Sequence, residues 1–122
     1  MAAKKVAVLA CMDTRLDLFR MLGLQPGDAH IIRNAGGLAT DDAIRSLSIS
    51  QRLLGTEEIV VLMHENCGLE GAPKEVPGAF DDVEEKLRES LESLKTSSEL
   101  LARDHIRGFV FDPETGALRE VD

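Results

Sequence analysis

The sequence is poor in aromatic residues and in cysteine. Its 122 residues include no tryptophan, no tyrosine, only four phenylalanines and only two cysteines. Side chains that could stack on nucleotide bases or sugars are therefore scarce. Two cysteines are also too few for the disulfide framework that stabilises many small secreted domains.

Positive charge is scarce as well. Fourteen lysines and arginines face 22 aspartates and glutamates, which gives a formal net charge of -8 at pH 7. This balance argues against a nucleic-acid partner, because phosphate binding needs clustered Lys and Arg. No stretch approaches the roughly 20 apolar residues of a membrane span, and residues 1–5 lead into a strand without a cleavable hydrophobic segment. We expect a cytoplasmic protein with no membrane partner, whose cysteines are thiols or metal ligands.

The pattern of apolar residues predicts a single α/β domain over residues 1–122. A chain of this length builds one core and is too short for two. Continuous aliphatic runs such as residues 6–10 are typical of parallel strands that are covered on both faces. We predict a mostly parallel four-stranded sheet flanked by helices, with a C-terminal antiparallel edge strand. The predicted strands are residues 6–10, 30–33, 58–63, 107–111 and, at the edge, 117–121.

Apolar spacing of three and four residues and capping signals predict the helices. Thr40 is a candidate N-cap, and Asp41 and Asp42 then lie in the first turn, where the helix dipole favours acids. Ser98 is a second candidate cap, for a short helix near the C-terminus. The predicted helices cover residues 15–22, 40–54, 80–94 and 98–103.

Three candidate metal ligands lie where predicted strands end. Cys11 follows the first strand, and His64 and Cys67 follow the third. The carboxyl ends of strands in an open α/β sheet are where binding crevices form. Two thiolates and an imidazole are a ligand set that zinc takes when its fourth position stays open for chemistry. Two other interpretations stay open, namely ordinary buried residues and a structural zinc with Asp13 as fourth ligand.

Three motifs in order resemble the signature of the β-class carbonic anhydrases. They are Cys-x-Asp-x-Arg at 11–15, Arg-Asn-Ala-Gly-Gly at 33–37 and His-x-x-Cys-Gly at 64–68. The resemblance continues through residues 40–47 and 107–112, covers most of the chain and is strongest to the small prokaryotic branch of the family. Relative to that family, the chain looks shortened at its N-terminus, where a helical arm is expected, and after the His-x-x-Cys-Gly motif.

The resemblance implies a zinc enzyme that reversibly hydrates carbon dioxide to bicarbonate and a proton. The implied nucleophile is a zinc-bound hydroxide, and Asp13 and Arg15 are the implied catalytic residues. Paired with Arg15, Asp13 is held off the metal and can accept a hydrogen bond from the hydroxide; unpaired, it can close the fourth position. Gly36, Gly37 and Gly68 are candidates for the substrate pocket, since glycine permits close backbone approach.

The resemblance also implies a homodimer, or a tetramer made of two dimers. A sheet of aliphatic strands with few helices leaves a face and an edge that need covering. Two alternative functions stay open, a carbonyl sulfide or carbon disulfide hydrolase using the same site and a non-catalytic zinc-binding relative. We also consider His30 as a proton relay, although a structural role suits its position at the start of a strand better.

Overall fold

The computed structural model describes residues 2–122, and its centre is a five-stranded sheet in the order β2-β1-β3-β4-β5. The pairs β1/β2, β1/β3 and β3/β4 are parallel, whereas β4 and β5 are antiparallel. The predicted four parallel strands and antiparallel edge strand are therefore confirmed. The strands are β1 Val6–Cys11, β2 Ala29–Asn34, β3 Glu58–His64, β4 Ile106–Phe111 and β5 Leu118–Val121.

Three α-helices flank the sheet, and each begins at an oxygen-bearing cap. Asp17, Thr40 and Asp82 accept hydrogen bonds from backbone amides of the first turn of their helices. The predicted cap at Thr40 is confirmed. The predicted helix start at Phe80 is wrong by three residues, because the cap lies at Asp82. The helices are α1 Leu18–Leu22, α2 Asp41–Arg52 and α3 Val83–Lys95.

The predicted helix at residues 98–103 is absent from the structure. The amides of Leu101 and Ala102 instead donate to Oε1 of Gln51, at 2.9 and 3.1 Å. Nε2 of Gln51 donates in turn to the carbonyl of Ala102 at 2.8 Å. Gln51 is a buried residue of α2. The segment thus satisfies its backbone groups through a distant side chain, so it needs no helix of its own.

The two faces of the sheet are covered unequally. Helices α2 and α3 pack on one face, where Leu47 and Leu87 are fully buried. On the other face, a cavity of about 220 Å³ lies among residues of the strands, the end of α1 and the loop that follows α1. Its lining is Val6, Val8, Leu22, Leu24, Val60, Arg107 and Phe109. This second face therefore presents apolar side chains that the chain itself covers only in part. No helix within residues 2–122 has the length and hydropathy needed to cross a lipid bilayer.

A tight glycine turn packs against the ends of the two central strands. Gly37 ends a short 3₁₀ turn, Ala35–Gly37, and has a φ of +66°. A Cβ atom there would lie 2.9 Å from the Cys11 amide nitrogen and 3.1 Å from the Leu62 carbonyl oxygen. Both the backbone angle and the space therefore require glycine.

Replacing Gly37 with alanine should lower the free energy of unfolding by about 3 kcal/mol, because left-handed strain and backbone overlap add together. Gly116→Ala is the matched control, since its φ is +77° but nothing lies within 4 Å of the added Cβ. We expect that variant to lose only about 1 kcal/mol. Guanidinium denaturation of both variants in one buffer measures the difference, and equal losses would contradict the close approach at Gly37.

Candidate active site and metal centre

Cys11, His64 and Cys67 converge at the carboxyl end of the sheet. Cys11 ends β1 and His64 ends β3, and the two strands are parallel neighbours. Their ends therefore lie side by side, and the short loop after β3 brings in Cys67. The possible ligand atoms of all three residues lie within 4.8 Å of one another, and all three residues are buried.

The hydrogen bonding of His64 leaves one ring nitrogen free. Its Nδ1 lies 2.9 Å from the backbone carbonyl oxygen of Glu65. Since a carbonyl only accepts, Nδ1 carries the proton and Nε2 is the bare nitrogen. Nε2 is buried and has no hydrogen-bond partner among residues 2–122. An unpartnered buried acceptor is costly, and a metal ion at this point would satisfy it.

The two thiols complete a donor set that fits zinc. The amide of Gly36 donates to the sulfur of Cys11 at 3.3 Å. Burial raises the pKa of the Cys67 thiol, and the nearby Cys11 adds to this rise, so a metal must displace a proton when it binds there. Two sulfurs and one imidazole nitrogen around one point suit a zinc ion with three protein ligands.

Asp13 is held by Arg15 at the edge of this centre. The guanidinium donates to both carboxylate oxygens, at 2.8 and 3.0 Å, and the backbone amide of Arg15 donates to Oδ1 at 2.8 Å. These hydrogen bonds hold the pKa of Asp13 well below its usual range, so the carboxylate is ionised. Arg15 also donates to the carbonyl of Asn66 at 3.2 Å. Asp13 Oδ2 lies 3.8 Å from His64 Nε2.

Arg33 positions the loop that carries Cys11 and Asp13. Its Nε donates to the carbonyl of Cys11 at 2.9 Å, and a terminal nitrogen donates to the carbonyl of Asp13 at 2.8 Å. Asn34 closes the following glycine turn by two hydrogen bonds with the backbone of Leu38, both 2.9 Å long. Sequence analysis identified Arg33 only as a motif residue. Its place three residues before the paired glycines was the available signal, but its carbonyl partners depend on the β1/β2 pairing.

A cavity of about 240 Å³ opens beside the three candidate ligands. Gly36 and Gly68 line it, whereas Gly37 packs behind it against the backbone of β1. His30 lies at the opposite end of β2, where its Nδ1 is 2.6 Å from Ser50 Oγ, so the structure does not place it as a relay. The cavity lining is Cys11, Met12, Asp13, Ala35, Gly36, His64, Cys67, Gly68 and Leu69.

Comparison with known proteins gives a consistent result. The carbonic anhydrase family profile matches residues 6–105. β-Carbonic anhydrase 1 of Mycobacterium tuberculosis is 44% identical over 135 residues, covering 98% of this chain and 83% of that protein. A carbon disulfide hydrolase of an Acidianus strain is 40% identical over 119 residues, covering 93% of this chain and 57% of that protein.

Solved structures agree with the sequence relatives. The crystal structure of a carbonic anhydrase from Streptococcus mutans superposes with a TM-score of 0.90 at 41% identity, covering 99% of this chain and 83% of that one. A carbonic anhydrase from Glaciozyma antarctica gives a TM-score of 0.89 at 39% identity, with the same coverage of both chains. With the profile match over residues 6–105 and the 44% identity to a curated relative, these superpositions show that the chain belongs to the β-carbonic anhydrase family.

Proposed function

We propose that this chain is a zinc-dependent carbonic anhydrase that reversibly hydrates carbon dioxide to bicarbonate and a proton. The observation that carries the proposal is the convergence of Cys11, His64 and Cys67 around the free, buried Nε2 of His64. The relative at 44% identity, which is named a β-carbonic anhydrase, supports the same activity.

Cys11, His64 and Cys67 would hold the metal, and the remaining residues control what happens beside it. Zinc bound by three protein ligands would act as a Lewis acid that lowers the pKa of a bound water to about 7. His64 keeps Nε2 free for the metal by donating Nδ1–H to the Glu65 carbonyl. Gly36 adds an amide dipole on the sulfur of Cys11.

Asp13 and Arg15 are proposed as the catalytic pair. The ionised carboxylate of Asp13 is an acceptor that can orient a hydroxyl group next to the metal ligands, because Oδ2 lies only 3.8 Å from His64 Nε2. The three hydrogen bonds from Arg15 would keep this carboxylate from ligating a metal held by Cys11, His64 and Cys67. Arg15 therefore holds the site open while Asp13 aligns the nucleophile.

The cavity provides a partly apolar place for the substrate. Met12, Ala35 and Leu69 supply apolar wall beside the ligands, and Gly36 and Gly68 leave room by having no side chain. Carbon dioxide is a linear, nonpolar molecule with an electrophilic carbon, so apolar walls can admit it without competing hydrogen bonds. Asp13 is the ionised carboxylate in this lining, so it would be the hydrogen-bond acceptor beside a bound substrate.

Hydrolysis of carbon disulfide or carbonyl sulfide is the second candidate. It is favoured by the 40% identity to a carbon disulfide hydrolase, whose activity would use the same kind of linear substrate. This chain spans 57% of that protein but 83% of the carbonic anhydrase relative, so carbon dioxide is the better supported substrate. A non-catalytic zinc role is a weaker proposal, because it leaves the Asp13–Arg15 pair without a function.

A homodimer and a cytoplasmic location complete the proposal. The apolar sheet face around Val60 and Phe109 is only partly covered within one chain, and a second copy is the proposed cover. Structures of two carbonic anhydrases from Sordaria macrospora are described as tetrameric, which fits paired dimers. Both cysteines are free thiols, the state that a reducing cytoplasm maintains and that metal binding requires.

His64→Ala should remove zinc and hydration activity together, because the imidazole supplies one of three ligands. His105→Ala, which alters an exposed histidine before β4, should keep both. Elemental analysis and stopped-flow hydration on the same samples test this, with about one zinc per chain expected in the unaltered protein. Zinc far below that value would contradict the metal site. Release of hydrogen sulfide from carbon disulfide without hydration would support the second candidate instead.

Arg15→Ala should leave zinc content near normal while the hydration rate falls about tenfold or more, because the freed carboxylate can then block the fourth position. Arg20→Ala, which removes an exposed arginine from α1, is the matched control and should keep full activity. Stopped-flow hydration with metal analysis decides the matter. An Arg15→Ala enzyme as fast as the parent protein would exclude the proposed gate.

Sedimentation velocity across a hundredfold range of concentration should show a dimer that dissociates only at the dilute end. The physical reason is burial of the partly covered apolar face of the sheet. Phe109→Glu should shift the equilibrium toward monomer, because it places a charge on that face, whereas Leu101→Glu, at an exposed loop position, should not. A fully active monomer at every concentration would refute the dimer.

A further inference from the structure

An ion-pair cluster joins the loop after β3 to the C-terminal hairpin. Its members are Glu65, Glu84 and Arg119, and we call it the Arg119 cluster. A terminal nitrogen of Arg119 lies 2.9 Å from Oε1 of Glu65 and 2.9 Å from Oε1 of Glu84, and Nε donates to Glu84 at 3.0 Å. One guanidinium therefore links the loop after β3, which carries Cys67, to α3 and β5.

Glu65 connects this cluster to a candidate metal ligand. Its backbone carbonyl is the acceptor for Nδ1 of His64, the bond that leaves Nε2 free for a metal. Its amide donates to the carbonyl of Phe111 at 2.9 Å, so the peptide on its N-terminal side is already fixed by β4. The peptide on its C-terminal side carries the carbonyl and leads into Asn66, whose φ is +59°. The side-chain anchor on Arg119 restrains this second peptide.

We propose that Arg119 is a positioning residue for the metal ligand His64, acting through Glu65. Arg119 fixes the side chain of Glu65 and so holds the Glu65 carbonyl in place to accept from Nδ1 of His64. That hydrogen bond orients the imidazole so that Nε2 faces the sulfurs of Cys11 and Cys67. Partners of this kind, which orient the ligands without touching the metal, typically change metal affinity by about 10-fold to 100-fold. This inference rests on the zinc site of the proposed function.

The sign of the effect separates positioning from simple charge. Arg119 is a cation on the loop side of a site for another cation, so its removal would tighten zinc binding if only electrostatics mattered. Loss of positioning has the opposite effect, because the imidazole is then no longer held in the binding geometry. A weaker zinc site after loss of a positive charge therefore marks the positioning role.

The test measures zinc affinity by competition with a chromophoric chelator on zinc-loaded protein at fixed pH and ionic strength. Arg119→Ala should raise the zinc dissociation constant about tenfold. The matched control is Arg52→Ala, because the Arg52 guanidinium also joins two separate segments, donating from α2 to the carbonyl of Glu99 at 2.9 and 3.2 Å, and lies at the end of α2 that leads to the start of β3, away from the site. That control should stay within about twofold of the parent protein.

Cobalt substitution and a lysine variant test the positioning role of Arg119 in two further ways. The cobalt-substituted Arg119→Ala protein should show a shifted ligand-field absorption, whereas cobalt-substituted Arg52→Ala should match the parent spectrum. Arg119→Lys keeps the charge but not the two-pronged geometry, so it should weaken zinc binding severalfold and replaces Arg119→Ala if that variant does not fold.

Other results would contradict either the role of Arg119 or the proposed zinc site. If Arg119→Ala or Arg119→Lys binds zinc as tightly as the parent protein, or more tightly, the positioning role of Arg119 is overturned. The proposed zinc site is not affected by that result. Equal weakening in the Arg52→Ala control also overturns the role of Arg119, because the effect would then follow from the loss of any arginine that joins two segments. A parent protein that binds no zinc would instead contradict the proposed function.

Discussion

The parallel pairing of β1 with β3 is the constraint on which the site depends. The register places Ala10 opposite Leu62, so both central strands end at the same edge of the sheet. Cys11 and His64 then become neighbours although they lie far apart along the chain. Both strands are almost wholly buried, and this fixes their register because a slip by one residue would exchange side chains between two differently packed faces. Core packing thus sets the spacing of the ligands.

Two arginines organise the loops around this edge in different ways. Arg33 donates to the carbonyls of Cys11 and Asp13 and so fixes the main chain of the first loop. Arg15 donates to the carboxylate of Asp13 and to the carbonyl of Asn66, which joins the side chain of one loop to the main chain of the other. A guanidinium suits both tasks, because its planar set of donors can satisfy two acceptors at fixed angles.

The sequence predicts the features that depend on local pattern and misses those that depend on distant partners. Aliphatic runs, caps and turn residues are local, so the sheet, its antiparallel edge strand and the cap at Thr40 could be predicted. The segment 98–103 carries helix-like residues, but Gln51 of α2 takes over its backbone hydrogen bonds. The Arg119 cluster was missed for the same reason, since its three members come from three separate elements.

Because the ligands lie far apart along the chain, a bound ion would also stabilise the fold as a cross-link. Cys11 belongs to the first strand, His64 ends the third and Cys67 lies in the loop that follows, so one ion would cross-link segments about fifty residues apart. Such a link restricts the unfolded chain in the way a disulfide does, and the entropy it removes grows with the length of the closed loop. In a reducing compartment, where disulfides do not persist, the metal would take the place of a disulfide and cross-link the ends of β1 and β3.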